Sequence, residues 1–208
     1  MKLVDYTVQD FTRLLGSQAP APGGGSASSL VGAQGAALCS MVCSLSIGRK
    51  KYEEHQKLIL DVKEKSDALT EKFLALIDED TVAYNKVGDV LGMPRDTDEE
   101  KAARKESMQK ALKGCTAPPL EMMRVAKEAL LLTESLLGKS NLNAVSDLGV
   151  GAVCLKAAIQ GAWLNVLINV GSIEDREFTE AYIKEGKELL EEVLKKADDV
   201  YDQVVEMV

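Results

Sequence analysis

An aspartate in the middle of an apolar helix face is the side chain in this sequence best placed to do chemistry. Around it the apolar residues run Leu69, Phe73, Leu76, Ile77, Tyr84, Val87 and Leu91. At about 100° per residue, Asp80 falls within about 40° of Leu76 and Tyr84 and about 20° of Phe73 and Val87. Asp78 and Glu79 lie well off that stripe. Burial disfavours an ionised carboxyl and lifts its pKa toward neutrality, where it can both take up and return a proton. The same position also suits a structural aspartate, satisfied by serines of a neighbouring helix or by a lysine.

A second break in pattern lies between 144 and 170. Asp147 and Asn165 are 18 residues apart, about five helical turns, and so share one angular position. Val150, Cys154, Ala158 and Gly161 lie between them, and Asn143 and Asn169 flank the two ends of the stripe. Such a stripe reads either as close helix packing with polar ends, or as Asn and Asp meeting a ligand or a partner subunit. Gly23-Gly24-Gly25-Ser26, ahead of a helix, offers free backbone N–H groups of the kind that bind anions. No GK[ST] follows it and no strand precedes it, so neither a Walker A loop nor a dinucleotide fingerprint is present. His55 stands among Lys51, Glu53, Glu54 and Lys57 and reads as solvated, which leaves no histidine triad or histidine metal cluster. Cys39, Cys43, Cys115 and Cys154 form no CxxC pair, and read as reduced thiols packed as small apolar residues. No metal ligand set is expected.

The elements that must position these residues read as helices. Thr7 caps a short helix that Gly16 ends. Ser17 to Gly25 is a loop, and a small-residue helix with Ser26 as its N-cap runs to about Ile47. Arg49 to Leu91 is free of proline, and Gly92-Met93-Pro94 breaks it. Thr97 and Glu100 have capping-box spacing for a helix over 98–113. Pro118-Pro119 opens another, closing near Gly138. Helices over 144–170 and 173–208 follow, the last with Leu189, Val193, Ala197 and Val200 on one stripe. No segment alternates with period two. The expected fold is all-α: one domain over 1–208, an up-and-down bundle of about seven helices.

Composition narrows the partners. Apolar residues make up 46% of the 208, enough for a core, whereas aromatics reach only 4%, too few for an immunoglobulin-like sandwich. With 25 basic and 33 acidic residues the formal charge is −8, which repels phosphate backbones and argues against nucleic acid. Leu14 to Gly48 carries no formally charged residue, and Ser26 to Ile47 is long enough to span a bilayer. Its many serines and Gln34 instead favour a buried core helix, and no membrane partner is expected. The N-terminus lacks an apolar h-region, so a cytoplasmic protein is expected.

Several of these residues fall in segments that resemble the formiminotetrahydrofolate cyclodeaminase family: PAPGGGSAS at 20–28, GRKKY at 48–52, DEDTVAY at 78–84, SDLGVGA at 146–152 and GAWLNVLIN at 161–169. The likeness covers nearly the whole chain. It implies a helical bundle that forms a homodimer, with Asp80 as the catalytic carboxyl. Gly23, Gly24, Gly25 and Ser26, with Asn143, Ser146 and Asp147, would shape the pterin and formimino pocket. Tyr84 and Asn165 would also meet substrate, and Arg49 and Lys50 would meet the folate's glutamate carboxylates. The implied substrate is a tetrahydrofolate derivative, with no permanently bound cofactor. The implied reaction is closure of 5-formiminotetrahydrofolate to 5,10-methenyltetrahydrofolate with loss of ammonia, the substrate arriving from a separate formiminotransferase. Methenyltetrahydrofolate cyclohydrolase is the alternative within the family, and a non-enzymatic helical scaffold is the alternative outside it.

Overall fold

Six α-helices and three short 3-10 turns make up the computed structural model, which describes residues 2–208, and no strand occurs among them. The helices are α1 (Val8–Leu15), α2 (Gly24–Ser44), α3 (Gln56–Leu91), α4 (Asp98–Ser135), α5 (Val145–Val170) and α6 (Arg176–Met207). Consecutive long helices run antiparallel. α2, α3, α4 and α5 pack in a ring, each against the next and α5 back against α2, while α6 lies along α4 and α5.

Small residues set the spacing of this ring. A Cβ at Gly35 of α2 would meet the Gly151 carbonyl of α5 at 2.9 Å, and one at Gly161 would overlap the Ser28 side chain. The Ala, Gly and Ser of α2 are therefore what lets two neighbouring helices approach its backbone. A Cβ at Gly32 would overlap the Phe73 ring, which is fully buried at the centre of the core with Leu120, Met123, Leu155 and Ile159. The hydroxyls of α2 find partners inside the bundle: Ser29 Oγ donates to the Phe73 carbonyl at 2.6 Å, and Ser40 Oγ to Asp67 Oδ1 at 2.5 Å. α2 and α5 are both long and apolar enough to cross a membrane, yet more than half of the α2 window is buried by its neighbours.

Local rules hold at most helix ends. Thr7 accepts from the Asp10 amide, and Thr97 and Glu100 form the expected capping box. Gly48 and Gly138 close the turns after α2 and α4 with φ of 72° and 70°, where any other residue would be strained. Two boundaries differ from the sequence expectation. α2 starts earlier, with Gly23 as N-cap, so Ser26 lies inside the first turn and is free to bond elsewhere. The helices expected at 98–113 and 118–138 are one, α4, with Pro118 and Pro119 in its interior, which makes six helices rather than seven. A proline there normally leaves a carbonyl unpartnered one turn earlier; for Pro119 another helix supplies the donor, as described below.

α6 docks mainly by its apolar stripe, Leu189, Val193, Ala197, Val200 and Val204. Ion pairs line its flank against α4, such as Arg124 Nε to Glu185 Oε1 at 2.6 Å and Lys127 Nζ to Glu192 Oε2 at 2.7 Å. Exposed pairs of this kind contribute about 0–1 kcal/mol each, so apolar burial holds the helix and the charges fix its register.

Candidate functional site

The first turn of α2 abuts the C-terminal half of α3, and glycine makes the contact possible. A Cβ at Gly25 would overlap both carboxylate oxygens of Asp80, so the carboxylate rests directly on the start of the helix. Ser26 Oγ lies 3.2 Å from Asp80 Oδ2 and can donate to it. The same hydroxyl stands 3.4 Å from the Thr81 hydroxyl. The anion for which Gly23 to Ser26 reads as a binding site is thus supplied by the chain itself.

Two effects oppose each other at Asp80. Burial is the larger and holds the carboxyl above the usual carboxylate range; the Ser26 hydroxyl and backbone amide pull it back down. The positive end of α2 acts in the same sense as Ser26. A carboxyl balanced in this way can accept and return a proton closer to neutrality than an exposed aspartate can.

Beside Asp80 opens a cavity of about 390 Å³, within the range of small-molecule sites. Pro20, Ala21 and Gly23 to Gly25 form one wall, Thr81, Tyr84 and Val87 of α3 another, Leu112 and Cys115 of α4 a third, and Asn165, Ile168 and Asn169 of α5 the fourth. No lysine, arginine or histidine is among these walls. A larger groove of about 690 Å³ runs between α3 and α4, lined by Lys2, Asp78, Glu79, Lys86, Glu121 and Arg124 among others. It lacks Asp80 and offers only a mixed, open surface, so the smaller cavity is the site. Cys115 donates its thiol to the Ala83 carbonyl at 3.0 Å, and burial and then the Asp80 charge raise its pKa. It is a neutral wall residue, not a thiolate nucleophile. Among the described residues no group of three or more His, Cys, Asp or Glu side chains is gathered so as to hold a metal ion.

Of the residues singled out in the sequence, Gly23, Gly24, Gly25, Asp80, Tyr84 and Asn165 come together at this cavity, with Ser26 behind Asp80. Tyr84 is 51% exposed and forms the rim instead of continuing the core stripe. Arg49, Lys50, Asn143, Ser146 and Asp147 do not join them within the chain. Asn141 beside them donates from its backbone to Ser46 Oγ at 2.8 Å and from its side chain to the Leu45 carbonyl at 3.3 Å. That contact puts the start of α5 against the end of α2, about 30 Å from Asp80 at 1.5 Å per helical residue. Arg49 and Lys50 line a separate shallow pocket there with Glu53 and Gln56. The expectation of one pterin pocket built from both sets is therefore corrected for the single chain: antiparallel helices carry the two sets to opposite ends. Asn169, Thr81 and Cys115 were not singled out as site residues. The signal for Asn169 was its place flanking the stripe at the Asn165 end, four residues further along the same helix face.

The family model described as Formiminotransferase-cyclodeaminase matches residues 7–188. The methenyltetrahydrofolate cyclohydrolase of Methylorubrum extorquens is 42% identical over 198 residues, covering 95% of each chain. The formimidoyltransferase-cyclodeaminase of Mus musculus is 31% identical over 195 residues; these cover 94% of this chain but only 36% of that protein. The crystal structure of formiminotetrahydrofolate cyclodeaminase from Thermotoga maritima superposes with a TM-score of 0.82 at 28% identity, covering 98% of this chain and 96% of that one.

Proposed function

The chain belongs to the formiminotransferase-cyclodeaminase family, and we propose that within it the chain hydrolyses 5,10-methenyltetrahydrofolate to 10-formyltetrahydrofolate, with Asp80 as general base and acid. The observation that carries this reading is the half-buried Asp80 carboxylate facing a cavity with no cationic wall. A carboxylate there favours the positively charged methenyl carbon, with no fixed cation to oppose it. Water attacks that carbon and gives a proton to Asp80; a C–O bond forms, and a tetrahedral carbon is left between nitrogens 5 and 10. Asp80 then returns its proton to nitrogen 5 as the carbon–nitrogen bond breaks. The hydroxyl proton departs to solvent as the formyl C=O forms.

Cyclodeamination is the second reading, supported by DEDTVAY at 78–84 and by the fold shared with the Thermotoga enzyme. There nitrogen 10 attacks the amidinium carbon, and Asp80 moves the proton from nitrogen 10 to the amine that leaves as ammonia. Both reactions pass through a tetrahedral carbon bridging the two nitrogens, bearing a hydroxyl in one case and an amine in the other, so one carboxyl serves either. The sequence alone favoured cyclodeamination. Likeness to a cyclohydrolase along the full length of both chains moves the weight to hydrolysis. The expected result is loss of methenyltetrahydrofolate absorbance, faster than in buffer, with the pure protein. Formation of that absorbance from 5-formiminotetrahydrofolate with ammonia release, and no hydrolysis, would establish the second reading instead.

We further infer that the active form is a homodimer. Exposed apolar side chains run along the adjoining helices α2 and α5: Met41, Leu45, Val150, Val153, Leu164 and Ile168, the last 74% exposed. A continuous apolar face of this kind marks an association surface. A two-fold axis perpendicular to these helices would bring the Arg49–Lys50 and Asn143–Asp147 end of one copy to the Asp80 end of the other. The glutamate-binding cations of one copy and the acid–base cavity of the other would then serve the two ends of one folate. Val153→Asp is expected to yield a monomer by sedimentation that has lost turnover with its helix content intact. A wild-type protein that is monomeric and active at micromolar concentration would refute the dimer.

A further inference from the structure

Pro119 brings no N–H to the carbonyl of Cys115, four residues earlier in α4, and its ring pushes that carbonyl outward from the helix. α5 fills the vacancy: Asn169 Nδ2 donates to the Cys115 carbonyl oxygen at 2.8 Å. A carbonyl oxygen only accepts, so the nitrogen of the Asn169 amide must face α4 and its oxygen must face away. One turn earlier Asn165 Nδ2 donates to the Gly161 carbonyl at 2.8 Å, which orients that amide in the same fashion. Both residues line the cavity beside Asp80. Neither amide oxygen receives a protein donor, and among the described residues no buried polar side-chain atom lacks a partner. Both oxygens are therefore accessible, on residues that line the cavity, and with the Asp80 carboxylate they make that wall rich in acceptors.

We propose that Asn169 is a substrate-binding residue whose amide oxygen, aimed by Pro119 through the Cys115 carbonyl, accepts a hydrogen bond from the heteroatom attached to the reacting one-carbon group. This rests on the folate reading above. In hydrolysis that heteroatom is the attacking water: one O–H points to Asn169 and keeps its proton, and the other surrenders its proton to Asp80 as the C–O bond forms. In cyclodeamination it is the departing amine, whose N–H groups meet the same oxygen. Pro119 is then a positioning residue. Its cost to the helix is offset by a fixed amide direction in the site.

Pro119→Ala tests this because activity and stability should move apart. The substitution returns an N–H to the Cys115 carbonyl, which competes with Asn169, and it removes a proline from a helix interior. The expected result is a Tm equal to or above wild type, kcat down about tenfold, the size of one hydrogen bond, and KM changed less than kcat. Asn169→Ala should lower kcat at least as far. Wild-type kcat in either variant overturns the proposal, and so does a parallel fall of Tm and kcat in Pro119→Ala, which would give the proline a structural role only. Should the wild-type protein turn over neither folate substrate, it is the folate reading that fails. The amide geometry is then read from hydrogen exchange of the Asn169 side-chain NH₂, slow in wild type and faster in Pro119→Ala; equal rates overturn it.

Discussion

Asp80→Asn should lose turnover by about 10²–10⁴-fold, the range of general acid–base catalysis, and at pH 7 it should melt higher than wild type. The asparagine keeps the shape of the side chain and can still accept from Ser26, but it cannot carry a proton. The stability gain follows from the direction of the pKa shift. Burial raises the folded-state pKa above the ordinary value of 3.8, so ionised Asp80 costs the native state more than it costs the unfolded chain. That cost is absent below the unfolded pKa, grows as pH rises through the folded pKa, and is complete above it. Thermal denaturation of the two proteins should therefore differ most at neutral pH and converge at about pH 4 and below. Turnover by wild type should fall with acid through the same raised pKa, above the usual carboxylate range. Cys115, in the cavity wall, stays neutral across that interval, because burial and the Asp80 charge push its thiol above the ordinary value. A variant keeping more than about a tenth of wild-type rate would assign proton transfer to another group.

Asp80 was legible in the sequence because helical periodicity is one-dimensional: a charge on an apolar stripe can be seen without knowing the neighbours. Helix ends such as Thr7 and Thr97–Glu100 were legible for the same reason, their caps being local. What the stripe could not tell was the kind of burial. Leu76 and Ile77 sit in the packed core, but the half-turn beyond Asp80 opens onto a cavity, and Tyr84 stands at its rim. Helix sharing across Pro118-Pro119 was illegible too, since the donor that rescues Cys115 comes from Asn169, 54 residues away in sequence. The separation of Asp147 from Asn165 needed no structure at all; five turns on one helix already place them at opposite ends. Grouping them in a single pocket therefore requires a second copy of the chain. The wall of amide oxygens was the part least open to sequence reasoning. An asparagine presents a donor and an acceptor, and only the carbonyls of Gly161 and Cys115 fix which one meets the ligand.

Gly25→Ala should cost nearly as much activity as the loss of Asp80, through position alone. In most helices the exchange stabilises by about 0.5–1 kcal/mol, and Gly88 in α3, where an added Cβ meets nothing within 4 Å, is the control expected to behave so. At Gly25 the new methyl would occupy the place of both Asp80 oxygens. The carboxylate must swing away from Ser26 and the start of α2, or the two helices must part. Overpacking of this kind costs about 1–3 kcal/mol, and a displacement of about 1 Å at the reacting group can lower the rate about 10²-fold. The decisive measurement is a double-mutant cycle in stability with Asp80→Ala. Shortening Asp80 removes the atoms that the methyl strikes, so the pair should be more stable than the sum of the single changes allows, by more than the usual non-coupling of about 0.5 kcal/mol. Additive stabilities, or a Gly25→Ala protein with wild-type turnover, would mean that the carboxylate can work from elsewhere and that the glycines serve another purpose. Coupling would tie the two motifs into one device, in which PAPGGGS supplies the bare backbone and DEDTVAY the carboxylate that must lie against it.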